Sequence, residues 1–265
     1  MPQIYEYDGC EAFFYLGPYV HNIRGAGIRR DQEMKNVPPN LHAIRGIMGC
    51  CFLLADGNQS VLVDTGLFGE TVMIRRRLRK LGLEPESIKA ILLTHGHLDH
   101  AGNLARLKDL TGAPVLAHPA EQVHINGTYP YQGVNRWCGR LEAAGRRVFR
   151  YRPANIDGVL QDGDELPFWG GLRVIHLPGH TRGHCGFYSA KHHLLFSGDM
   201  FASYFFNTHR PPPILNSVPE LLNQSADKIR QLGPRWIIPC HFDFLNGELH
   251  RRRFCRLYRI SDWTT

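Results

Sequence analysis

No stretch of this chain approaches the roughly 20 consecutive apolar residues that a membrane-spanning helix needs. Its amino terminus has no basic segment leading into an apolar one, and Glu6 and Asp8 come early. Neither a membrane partner nor a secretory leader is therefore expected. Internal repeats, low-complexity tracts and Pro/Gly/Ser-rich linkers are also lacking, and Pro211-Pro212-Pro213 is too short to be more than a stiff loop. That leaves one globular domain over residues 1–265, with 43% hydrophobic residues to build its core. Cysteine is sparse: seven, an odd number, scattered along the chain, with Cys50 and Cys51 adjacent and able to bridge only under strain. Free thiols in a reducing cytoplasm follow.

Histidine, by contrast, is plentiful, with fifteen in the chain. Three of them, with a carboxylate, crowd into Thr94-His95-Gly96-His97-Leu98-Asp99-His100, directly behind the apolar run Ile91-Leu92-Leu93. A strand ending there carries the following loop to a sheet edge. His95 and His97, two apart, can turn to one metal ion while Asp99 and His100 turn to a neighbouring one. Imidazole nitrogen with carboxylate oxygen suits zinc first, then iron or manganese. Four further apolar runs end in candidate ligands: Val61-Leu62-Val63 before Asp64, Val174-Ile175-His176-Leu177 before Pro178-Gly179-His180, Leu194-Leu195-Phe196 before Ser197-Gly198-Asp199, and Trp236-Ile237-Ile238-Pro239-Cys240 before His241. Strand ends aim side chains with little loss of precision. Taken singly, His180 reads as a structural histidine, and Asp64 and Asp199 as turn residues beside glycine; the ordered set is what points to a metal site. His21, His42, His118, His124, His176, His192, His193 and His250 show no ligand spacing and read as structural or solvated.

With these motifs in this order, residues from about 51 to 241 resemble the metallo-β-lactamase superfamily. The resemblance implies a four-layer αββα sandwich of α+β class. It also implies that His95, His97 and His180 hold one metal, that Asp99, His100 and His241 hold a second, and that Asp199 bridges them. Asp64 and His184 would support the ligands without touching metal. The implied cofactor is two Zn2+, with iron or manganese as alternatives, and the implied chemistry is hydrolysis of an ester, thioester or lactone by a hydroxide bridging the metals. Asp99 and Asp199 are the catalytic carboxylates on this reading, and Tyr204, five residues past Asp199, is the nearest phenol that can donate to a tetrahedral intermediate.

Asp199 separates the chain from the β-lactam-hydrolysing members, which generally lack the bridging aspartate. The segment 94–103 is similar to that of glyoxalase II, though that enzyme's glutathione-binding region is not recognised here. Acyl-homoserine lactonases carry a tyrosine three residues past the bridging aspartate; Ala202 stands there, and Tyr204 is displaced. Alternatives on the same scaffold are a mononuclear iron persulfide dioxygenase, a phosphodiesterase and a β-lactamase. A non-catalytic module would be expected to have lost ligands.

The pattern predicts strands at 12–16, 51–55, 60–64, 88–93, 115–118, 146–151, 172–177, 186–189 and 194–197, and helices at 69–81, 99–110, 218–232 and 247–258. The least regular stretch, 120–144, lies where the related fold has an insertion beside the active site, so it is read as a lid; a helical excursion that only packs on the sandwich is the alternative. Phe201, Tyr204, Phe205 and Phe206 fit no strand or helix period and are expected, with 129–137, to wall the substrate cleft. Net charge is +7, from 31 basic against 24 acidic residues, concentrated in 75–80 and 251–259. Nucleases of the family carry an extra domain or arm to hold nucleic acid, so the partner expected here is a small molecule. Arg251, Arg252, Arg253, Arg256 and Arg259 are read as solvated positions on a terminal helix.

Overall fold

The computed structural model describes residues 6–7, 10–11, 37–38, 40–46, 48–67, 69–204, 206–243 and 245–263. The expected strand at 12–16 and Phe205 lie outside them. Residues 1–32 form one compact unit, in which β1 (Glu6–Tyr7) pairs antiparallel with β2 (Cys10–Glu11). Residues 33–265 form the other.

The larger unit is built on two six-stranded sheets. The first runs β3 (Leu41–Arg45), β4 (Cys50–Asp56), β5 (Gln59–Val63), β6 (Ile88–Leu92), β7 (Val115–Ala117) and β8 (Gly158–Val159), antiparallel through β5 and parallel from there on. The second has β9 (Glu165–Leu166), β10 (Leu172–His176), β11 (Cys185–Ser189), β12 (Leu194–Ser203) and β13 (Thr208–His209) in antiparallel succession, with β14 (Trp236–Phe242) parallel to β12. On the first sheet lie helices α1 (Glu70–Lys80), α2 (Leu98–Ala101) and α3 (Leu104–Thr111). Helices α4 (Gln122–Ile125) and α5 (Arg136–Val148) follow, and α6 (Leu222–Leu232) and α7 (Gly247–Tyr258) cover the second sheet.

Strand alternation explains the four layers. In β4, Phe52 and Leu54 point to the second sheet and meet Val174, Phe187, Phe196 and Ile238, whereas Cys51 and Leu53 point outward to Ile74 and Leu78 of α1. On the other outer face Ile175, Leu195 and Ile237 pack against Leu222, Ile229, Phe254 and Tyr258. Burial on both faces is why these strands read as continuous apolar runs. This is the αββα sandwich.

Four expectations need correction. The helix at 99–110 is broken into α2 and α3 at Asn103, whose φ of −108° and ψ of 10° leave the helical region and whose side-chain amide donates to the Thr65 carbonyl at 2.9 Å; Gly102 beside it lets the 64–67 loop approach, since an added Cβ would lie 2.7 Å from the Gly66 carbonyl. Residues 146–148 end helix α5 rather than forming a strand; the Arg146 guanidinium caps the Ile125 carbonyl at 2.9 Å and pairs with Glu142 at 2.8 Å. Phe201 belongs to β12 and packs on Phe254 with ring centroids 5.3 Å apart, so it is core and not cleft. Of the supposedly solvated arginines, Arg251 is 8% exposed and pairs with Asp262 at 2.8 Å, and Arg253 reaches the Ser203 hydroxyl at 3.0 Å.

Candidate metal centre

The donor-rich strand ends converge at one end of the sandwich. His95 and His97 leave β6 on a loop, Asp99 and His100 follow in α2, His180 stands beyond β10, Asp199 lies in β12 and His241 in β14. Ligand atoms of His95, His97 and His180 lie within 4.8 Å of one another, as do those of His95, His100 and Asp199, and of Asp99, His100 and His241. Asp199 is common ground: its Oδ2 is 3.6 Å from His180 Nε2, 4.0 Å from His95 Nε2 and 3.2 Å from His241 Nε2, and its Oδ1 is 3.4 Å from His100 Nε2. Asp99 Oδ2 is 3.4 Å from His241 Nε2 and 3.7 Å from His100 Nε2.

A backbone irregularity aims Asp199. The register between β12 and β14 shifts on either side of Gly198, whose φ is 51°. A Cβ there would sit 2.4 Å from His184 Nε2, so the position requires glycine. His184 in turn accepts the Asp199 N–H at 2.9 Å while its Nδ1–H donates to the Leu177 carbonyl at 3.0 Å. His184 therefore holds the backbone of Asp199.

The imidazoles are oriented in the same way. His100 Nδ1–H donates to Asp64 Oδ2 at 2.9 Å, His180 Nδ1–H to Asn216 Oδ1 at 3.0 Å and His241 Nδ1–H to the Met48 carbonyl at 2.7 Å. Asp64, itself left-handed at φ 58°, also accepts the Thr94 N–H at 2.7 Å, the Thr94 hydroxyl at 2.8 Å and the Cys240 thiol at 3.2 Å. Fixing Nδ1 as donor turns each Nε2 lone pair to the centre. Among the described residues, His95 Nε2, His100 Nε2, His180 Nε2 and Asp199 Oδ1 are buried with no hydrogen-bond partner. Buried polar atoms left unpartnered together are costly, and a cation is the group that satisfies lone pairs aimed at one point. The donor set fits divalent metal.

Electrostatics divide the set. Burial holds His95 and His97 well below the usual imidazole range and brings His180 to about 4, so these three stay neutral at pH 7, as metal ligands must. For His241 burial also pulls downward, but the Asp199 and Asp99 carboxylates outweigh it and raise the pKa to about 9. His100 is raised likewise, against burial, by Asp199, Asp99 and Asp64. Asp199 is driven well below its usual range by His241 and His100 despite its burial.

Two residues in the surroundings carry no sequence signal. Glu121 is fully buried; its Oε2 accepts the Gly96 N–H at 2.7 Å and its Oε1 the Gly183 N–H at 2.8 Å, tying the His95/His97 loop to the loop after His180. Asn216 orients His180. Neither lies near a motif, and only long-range contacts identify them. Tyr204 is half-buried at a hairpin between β12 and β13, where burial first, and then the Asp199 charge, raise its pKa. Cys185 and Cys240 are buried free thiols.

The chain belongs to the metallo-beta-lactamase superfamily, whose family model matches residues 45–241. Hydroxyacylglutathione hydrolase GloC of Haemophilus influenzae is 30% identical over 158 residues, 57% of this chain and 65% of that enzyme. A metallo-beta-lactamase family protein of Thermus thermophilus superposes with a TM-score of 0.68 at 25% identity, covering 84% of this chain and 79% of its own. The di-iron-bound form of TTHA1623 superposes at 0.60 with 25% identity, covering 80% of this chain and 97% of its own. The matches span 59% to 65% of the length of several curated relatives. Among the described residues no helix is long and apolar enough to cross a membrane.

Proposed function

We propose that this chain is a dinuclear metal-dependent hydrolase acting on an ester, thioester or lactone. The observation that carries the reading is the position of the Asp199 carboxylate, 3.2 to 4.0 Å from the imidazole nitrogens of both donor groups. His95, His97 and His180 would hold one ion, Asp99, His100 and His241 the other, and Asp199 both. Two divalent ions so held supply Lewis acidity to a carbonyl oxygen and bring a bound water's pKa towards neutrality. No side-chain nucleophile is then needed. The acyl carbon gains the water oxygen, the leaving oxygen or sulfur departs with a proton, and a carboxylic acid results. Asp64 and His184 keep the donors in register throughout. Tyr204, its phenol kept protonated by burial, donates to the oxyanion.

Zinc is the ion proposed; the di-iron form of TTHA1623 makes iron the alternative to test. The thioester reading draws on the likeness to GloC. The segment 120–144, with α4 and the inward face of the start of α5, is proposed to wall the substrate cleft. Metal analysis of protein purified without chelator, with thioester, lactone, phosphodiester and β-lactam substrates, tests the proposal. Two ions per chain and thioester or lactone turnover are expected. A single iron with oxygen consumption would replace the hydrolase by a dioxygenase, and full occupancy by two ions in Asp199→Ala would sink the bridge.

A further inference from the structure

Helix α5 shows solvent two adjacent ridges. At about 100° of rotation per residue, Trp137, Leu141, Ala144 and Val148 fall within about 60° of arc, and Arg136, Arg140 and Arg147 occupy about 40° immediately beside it. All seven are exposed, and the three largest apolar ones are 66% (Trp137), 71% (Leu141) and 73% (Val148) accessible. The opposite side of the helix is anchored. Glu142 meets Arg146 at 2.8 Å and the Tyr131 hydroxyl at 2.8 Å, Arg146 caps the Ile125 carbonyl at 2.9 Å, and Gly145 lies so close to Leu98 that a Cβ would come within 2.9 Å of it. The orientation is thereby fixed, with the apolar ridge held outward. Contiguous exposed apolar surface of this kind marks an interaction site.

We infer that α5 docks the protein on an anionic membrane surface, with Trp137, Leu141 and Val148 entering the headgroup layer and Arg136, Arg140 and Arg147 against lipid phosphates. An apolar ridge carrying tryptophan, flanked by cations, is the pattern of helices that lie in the interface plane. A second copy of the chain fits less well: the only acid of the helix, Glu142, is turned inward to Arg146, so pairing this face with itself would set arginine against arginine. The net charge of +7 acts in the same direction. Docking needs no spanning segment. Because Gly145 packs on Leu98, between His97 and Asp99, the docked helix lies beside the donor loop, and esters or thioesters with an apolar chain would meet the site close to the interface. Only that last consequence rests on the hydrolase reading.

Co-sedimentation of the full chain with phosphatidylcholine vesicles, with and without phosphatidylglycerol, tests the inference. Binding is expected to the anionic vesicles at low salt, to fall steeply at high salt, and to be weak on neutral vesicles. Each arginine near an anionic surface is worth about fivefold in partitioning, so Arg136→Gln, Arg140→Gln and Arg147→Gln together should weaken binding on the order of a hundredfold. Trp137→Ala should weaken it as well, with melting temperature and metal content unchanged. Absence of wild-type binding to anionic vesicles, equal binding to neutral ones, or full binding by the triple variant would overturn the inference. An oligomer that Trp137→Ala dissociates would assign the ridge to a second copy and overturn it too. Vesicle binding by a protein that turns over no ester or thioester would remove the hydrolase reading and leave the docking intact.

Discussion

Replacing Glu121 by alanine should loosen the metal centre without touching any donor. The side chain is fully buried, and its two oxygens accept backbone N–H groups from Gly96 and Gly183, at 2.7 and 2.8 Å, on the two loops that present His95, His97 and His180. Truncation leaves two buried N–H groups without acceptors, each costing about 1–3 kcal/mol. The sum is about 2–6 kcal/mol, or roughly 4–24 °C in melting temperature at about 2–4 °C per kcal/mol for a chain of this size. Glu121→Gln keeps one acceptor oxygen and should lose about half as much. Because the loops are then free to separate, apparent metal affinity measured by chelator competition should fall along with stability. Calorimetry of the metal-free form and a chelator titration of the loaded form separate the two effects. A Glu121→Ala protein with unchanged melting temperature and unchanged metal affinity would refute the strut.

Gly198→Ala would force a Cβ to within 2.4 Å of His184 Nε2 at a φ of 51°, so it should lower metal occupancy while the far-ultraviolet circular dichroism stays intact. Phe196→Ala, which empties the inter-sheet core beside Phe52, should cost about 3–5 kcal/mol in denaturant unfolding. Tyr204→Phe should lower turnover on the best substrate with metal content unchanged; unaltered turnover would take the phenol out of the reaction. The metal-free protein should be most stable in a narrow window around pH 6.5, the ordinary imidazole pKa. Below that window the unfolded chain takes up protons that buried His180 refuses down to about 4 and His184 and His124 down to about 3, so stability falls with acid. Above it the contribution of protonated His241, complete only below about pH 6.5, declines steadily and is gone once pH passes about 9. Unfolding midpoints followed across the acid and alkaline limbs that show no such maximum would count against the burial of these imidazoles.

The donors were legible because each sits at the end of an apolar run, where residue type and local order carry the information. The supporting contacts were not, because they join distant positions: Glu121 meets partners 25 and 62 residues away, and Asn216 meets His180 across 36. The misreadings have local causes. Val148, Phe149 and Tyr151 suggest a strand, yet side-chain hydrogen bonds from Arg146 and Tyr151 to the Ile125 carbonyl hold the end of α5 in place. Asn103 is compatible with a continuous helix on sequence, because the loop that holds its side chain, 64–67, is brought up by the distant β5. Arg251 looked solvated because its acidic partner, Asp262, follows the end of the helix.

The donors are also divided between the sheets. The first sheet presents His95, His97, Asp99 and His100, and the second His180, Asp199 and His241, with β14 contributing its histidine near the end of the larger unit. In the proposed centre neither half holds a complete coordination shell. A nascent chain emerging from the ribosome therefore displays an imidazole-rich loop at residue 95 long before it can close around an ion at residue 241. Metal capture would then be a late event of synthesis, acting as a check that both sheets have already found each other.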